Sequence, residues 1–173
     1  HTHWLTANLV EGATVAVDGR ALGLAARDAL LALLTPKGVQ LKLDIDLPGQ
    51  CWPERPPLPT AAVRDLPLEI AGASRQDKLA RVREAMQEQG AQWHLVSTLD
   101  DVAWLLNLRG SDVSFNPVFL SHVLIGLADA QLFVLPGKVD VGLANKLAES
   151  QVYVRPYETV AQVLAELPET DVL

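Results

Sequence analysis

One cysteine, Cys51, stands in 173 residues, so no internal disulfide can form. A reducing compartment is the simpler reading of that scarcity. Basic residues are also few: fourteen Lys and Arg against 21 Asp and Glu leave a formal charge of −7. Phosphate contacts need a basic face, so a general nucleic-acid binder is not expected. Long hydrophobic runs are missing. The longest apolar stretch, "VFLSHVLIGLA" at 118–128, is too short to span a bilayer as a helix. The opening "HTHWLTANLV" has neither the basic start nor the apolar centre of a secretory signal. These gaps together give the expectation of a cytoplasmic protein with no membrane partner. The chain starts at His1 rather than methionine, which reads as a chain processed or cut from something longer.

Catalytic signatures are missing too. No HExxH, CxxC or clustered carboxylate pattern accompanies the four histidines, His1, His3, His94 and His122, so no metal site is expected. The terminal His1-Thr2-His3 could chelate Cu(II) or Ni(II) through its amine, amides and His3, and is read as an accident of truncation. His94 falls inside an alternating strand and reads as a structural histidine. His122 reads the same way, less firmly, since it follows a polar loop. There is no GxSxG elbow and no phosphate-binding glycine loop. Asp100 and Asp101 are adjacent on a helix and point about 100° apart, so capping suits them better than acid/base work. No catalytic residue is expected.

What is present is an ordinary globular composition, 49% hydrophobic and 20% charged. A chain this long buries most of its apolar surface without staples. "TVAVD" at 14–18 reads as a strand, the leucine-rich segment ending at Gly38 as a helix, and "VQLKLDI" at 39–45 as a second strand, with a short helix before them. Residues 46–67 hold six prolines, which neither helix nor central strand tolerates, and read as a surface linker. A second unit follows. Ser74 with Asp77 opens an amphipathic helix closed by Gly90. A strand at 92–97 comes next, then a helix capped by Thr98. A hairpin is expected around Asp129 and Ala130, followed by helix, strand and helix. The expected fold is α/β: a mixed sheet flanked by helices, preceded by a partial α/β domain of the same type. The expected divisions are 1–45, a linker at 46–71, and 72–173.

The stretch that resists a core reading is "LLNLRGSDVSFNPVF", 105–119. Asn107, Arg109, Gly110, Asp112 and Asn116 crowd between two apolar elements. One reading is a structural turn: a positive φ at Gly110, an Arg109–Asp112 pair, and Asp112 and Asn116 bonding backbone donors. The other is a rigid loop presenting Arg109 to a carboxylate or to a partner domain. Trp52, Trp93 and Trp104 read as core or interface plugs, and Trp52, among prolines, as the interface candidate.

On these residues the chain resembles a known family. The run Leu99-Asp100, Ala103-Trp104-Leu105, Asn107-Leu108-Arg109-Gly110, Asp112, Asn116-Pro117-Val118-Phe119 is similar to the second domain of the cytosolic, three-domain aminopeptidase P (X-prolyl aminopeptidase) family, in the creatinase/prolidase-like clan. Gly72, Ser74, Asp77-Lys78-Leu79 and Arg83 fit the helix opening that domain, and Trp52, Arg55-Pro56 and "VAVD" resemble the end of the first. The resemblance implies a fragment: the end of domain I plus domain II. It implies that two metal ions, manganese, belong to a C-terminal catalytic "pita-bread" domain of the same polypeptide, with no cofactor in this chain. It also implies short proline-containing peptides as parent substrates and a homodimer in the parent. The loop residues Asn107, Arg109, Gly110, Asp112 and Asn116 become candidates for a wall controlling substrate access or an interdomain contact. The alternative is a stand-alone protein- or peptide-binding module from a non-catalytic homologue of that fold.

Overall fold

The computed structural model describes residues 2–173, and side chains from Trp4 onward. The chelating arrangement at His1-Thr2-His3 therefore falls outside the described residues. The chain divides into two compact units, one ending at Pro57 and one from Leu58 to Leu173.

In the first unit, α1 (Thr2–Asn8) precedes β1 (Thr14–Ala16), α2 (Leu24–Leu34) and β2 (Gln40–Lys42). β1 and β2 pair in parallel, Thr14 opposite Gln40, with α2 as the crossover that a parallel pair requires. Leu30 and Leu34 of α2 and Val39 form the buried centre, with Leu5, Leu9, Val15 and Leu41 packed around it. Gly38 sits at φ 66° and closes the turn after α2 in the left-handed region that glycine enters without cost. Asp46 caps α3 (Leu47–Cys51), its carboxylate accepting from Gly49 N at 2.7 Å.

The second unit begins within the stretch read as linker. Val63 is buried in its core, β3 (Arg64–Asp65) pairs with a later strand, and α4 (Leu68–Ala71) follows. In this stretch the prolines flank these short elements, where a missing N–H is tolerated. α5 (Arg75–Glu88) starts as expected: Asp77 N donates to Ser74 Oγ at 3.0 Å, and that hydroxyl donates back to the Asp77 carboxylate at 2.7 Å. β4 (Trp93–Val96) leads to α6 (Leu99–Leu105) and β5 (Leu108–Arg109), which pairs antiparallel with β3. Then come β6 (Ser121–Gly126), β7 (Ala130–Val134), α7 (Val141–Ala148), β8 (Val152–Pro156) and α8 (Val160–Ala165).

The main sheet runs β4-β6-β7-β8. Its first two pairings are antiparallel and the last is parallel, with α7 as the crossover. Val123, Leu124 and Ile125 of β6 and Leu132, Phe133 and Val134 of β7 are all buried, so these central strands carry continuous apolar runs instead of alternation. The mixed sheet with flanking helices, and the smaller α/β unit before it, agree with the expected fold class.

Three local expectations are corrected. Thr98 occupies the N-cap of α6, but its hydroxyl makes no capping bond. His94 is exposed on β4, so it is no core histidine. Trp104 is 51% exposed, which corrects the core half of its reading and leaves the interface half untested.

Candidate functional site

The residues singled out at 107–116 separate into two structural groups. The first gathers at the C-terminal end of α6. A helix end leaves carbonyls unbonded and carries partial negative charge, so cations collect there. Arg75 Nε donates to Leu106 O at 3.1 Å, Lys78 Nζ to Trp104 O at 2.8 Å, and an Arg109 terminal nitrogen to Ala103 O at 2.9 Å. The same Arg109 nitrogen also donates to Leu108 O at 2.8 Å. Asn107 is buried at φ 53°, a conformation that asparagine tolerates better than most residues. Its side chain accepts from Lys78 Nζ at 2.6 Å and donates to Ala73 O at 2.8 Å. Arg75 is paired with Asp65 on β3. Lys78 is buried with no carboxylate partner among the described residues, over the Trp104 ring at 4.4 Å. Burial, and then the neighbouring Arg109 charge, push its amine below the usual lysine value.

The second group is a short ribbon. Gly110 N donates to Pro117 O at 3.1 Å and Asp112 N to Val118 O at 3.1 Å. Gly110 has no positive φ. Its requirement is space: a Cβ there would lie 2.6 Å from Phe119 Cβ. Arg109 and Asp112 do not pair. Asp112 instead accepts from Leu120 N at 2.8 Å and pairs with Lys138, and the two side chains are 0% and 1% exposed. Lys138 Nζ also reaches Pro59 O at 3.2 Å. Asn116 Nδ2 reaches the Asp100 carboxylate at 3.3 Å. The ribbon is thus bolted to α6, to the β7–α7 turn and to the start of the unit.

A groove of about 710 Å³ lies beside α5, lined in part by Arg81, Val82, Met86, Trp93, His94 and Trp104. Sequence reasoning missed it, because Val82, Ala85 and Met86 recur at helical spacing and read as the apolar face of α5 alone. His122 lies elsewhere, on β6, its ring stacked on Tyr157 at 5.2 Å and its Nδ1 bonded to Ser97 Oγ at 2.9 Å. Burial lowers its pKa below the usual imidazole value. Trp52 is 54% exposed on the first unit.

Among the described residues, no three His, Cys, Asp or Glu side chains converge as metal ligands. These described residues therefore do not fit a two-metal centre. Among them, too, no helix is long and apolar enough to cross a membrane.

Residues 54–173 match the creatinase/prolidase N-terminal domain family. Xaa-Pro aminopeptidase 1 of Dictyostelium discoideum is 34% identical over 170 residues, covering 93% of this chain and 27% of that protein. A probable Xaa-Pro aminopeptidase P of Laccaria bicolor is 35% identical over 169 residues, covering 96% and 26%. The chain thus spans about a quarter of the length of these curated relatives. The X-prolyl aminopeptidase of Caenorhabditis elegans, a cytosolic enzyme with a di-nuclear active site, superposes with a TM-score of 0.86 at 27% identity, over 95% of this chain and 27% of that one.

Proposed function

The chain belongs to the creatinase/prolidase N-terminal domain family, and from that membership we propose that it is the non-catalytic N-terminal region of an X-Pro aminopeptidase. One observation carries the reading. Similarity to Xaa-Pro aminopeptidases runs through 93% and 96% of this chain while using only 27% and 26% of theirs. In this reading the full-length protein removes an N-terminal residue that precedes proline. Its metal ions, manganese, are held by a C-terminal catalytic domain, and it works in the cytoplasm as a homodimer on short peptides. This chain then shapes substrate access and packs against that domain. The 107–117 loop supplies the rigid edge, because Arg109 and Asn116 tie it to α6, Asn107 to the start of α5 and Asp112 to the β7–α7 turn. Arg109→Ala in the full-length protein is expected to weaken peptide cleavage or domain docking. Unchanged activity, affinity and stability would count against that role.

The test of the reading is the intact mass of the native polypeptide in its source cells. A mass far above 18.7 kDa is expected. A mass near 18.7 kDa would overturn the reading and leave protein or peptide binding, not hydrolysis, as the work of the chain.

A further inference from the structure

The most exposed large apolar side chain on the described surface is also one of the most awkwardly held. Phe115 is 109% exposed and sits at φ 63°. Asn116 N donates to Val113 O at 3.2 Å, which makes Val113–Asn116 a four-residue turn with Phe115 third. A positive φ at that position favours glycine or asparagine. Asparagine is present one residue later, but it precedes Pro117, and proline confines the residue before it to extended backbone. The left-handed conformation therefore falls on a bulky aromatic, where it is unfavourable.

The turn is not a loose tip. The Gly110–Pro117 and Asp112–Val118 bonds clamp its base, the buried Asp112–Lys138 pair anchors one arm, and Asn116 is held to Asp100. Such a clamp spends strain to hold an aromatic ring clear of the surface, with Val113 exposed beside it. A rigid aromatic with few rotatable bonds is the kind of side chain that dominates interfaces when a pocket receives it. Nothing in the second unit receives Phe115, since its exposure is complete. Relatives of this chain are about four times its length, so most of a protein of that size lies outside these residues.

We propose that Phe115 is the anchor by which this unit docks into the remainder of the full-length polypeptide, its ring filling an apolar pocket there. The inference rests on the reading that such a remainder follows, and it replaces Arg109 with Phe115 as the contacting side chain of the loop. Arg109 then positions the ribbon through α6.

The test is hydroxyl-radical footprinting of Phe115 in the full-length gene product and in the 173-residue chain, read by peptide mass spectrometry. At least fivefold slower oxidation in the full-length protein is expected. Two variants accompany it. Phe115→Gly relieves the backbone and removes no contact within the unit, so the melting temperature of the short chain should hold or rise. The same change in the full-length protein, and Phe115→Ala beside it, should lower the melting temperature. Equal oxidation rates in the two proteins would overturn the inference. Protection lost on dilution to monomer would overturn it as well, assigning the ring to a second copy. A full-length product that protects Phe115 without cleaving an X-Pro peptide would leave the docking standing and remove the peptidase reading. Cleavage without protection would do the reverse.

Discussion

Gly110 shows what a single residue meant before and after folding. Its place between Arg109 and Ser111 marked it as a backbone requirement, but the reason lies nine residues away. Phe119 approaches so closely that a methyl group would meet it at 2.6 Å. Gly110→Ala is therefore expected to destabilise the second unit by about 1–3 kcal/mol, the range for overpacking a tightly packed site. Denaturant unfolding checks it, and a midpoint within error of wild type would show that the ribbon yields. Asp112 and Arg109 teach the same lesson. Three residues apart, they looked like a pair, yet the partner of Asp112 is Lys138, 26 residues on. Local spacing cannot report a partner brought by tertiary packing.

His122 gives a prediction with a sign at this scale. Burial under Tyr157 favours the neutral ring, so its folded pKa lies below the ordinary value of 6.5. The unfolded chain then takes up the proton first as pH falls. The stabilising contribution is whole above about 6.5 and is lost as pH drops toward the folded value. An NMR titration should find the midpoint below 6.5, and Tyr157→Ala should raise it. A wild-type midpoint at or above the ordinary value would contradict the burial.

Among elements, periodicity was a good guide wherever an element packs on one face. The β1-α2-β2 crossover and α5 with its Ser74 cap stand close to their expected places, and the β6–β7 hairpin does so on its apolar runs and intervening turn instead of on alternation. It was a poor guide at 46–71, where proline density masked α3, β3, α4 and a buried Val63. Proline count reports what backbone cannot do and is silent on which side chains are buried. The connection between the 109–119 ribbon and the β7–α7 turn was equally illegible, since it depends on one buried ion pair. Removing one partner leaves an uncompensated buried charge, so Asp112→Asn or Lys138→Met alone should cost about 3–5 kcal/mol. The double variant should recover much of that loss. A double-mutant cycle measures it, and strictly additive losses would show that the two elements are not coupled through this pair.

For the whole molecule, the residues most readable in the sequence were those of the 97–125 run, and they pointed to a family that the match over 54–173 establishes. The Phe115 turn and the groove beside α5 were not readable, since exposure and φ belong to folded backbone. Each unit has its own buried cluster, 30–39 in the first and 63–152 in the second. Residues 58–173 alone are thus expected to fold, with a cooperative thermal transition. A non-cooperative melt would show that the second unit depends on the first.

The central claim is that this chain is a peptidase segment without the chemistry of one. The most direct measurement is hydrolysis of an X-Pro tripeptide, with added Mn²⁺, by the full-length gene product and by the 173-residue chain in parallel. Turnover by the full-length protein and none by the chain is the predicted result. Chelator-sensitive turnover by the chain above a metal-only blank, or none by either protein, would contradict it.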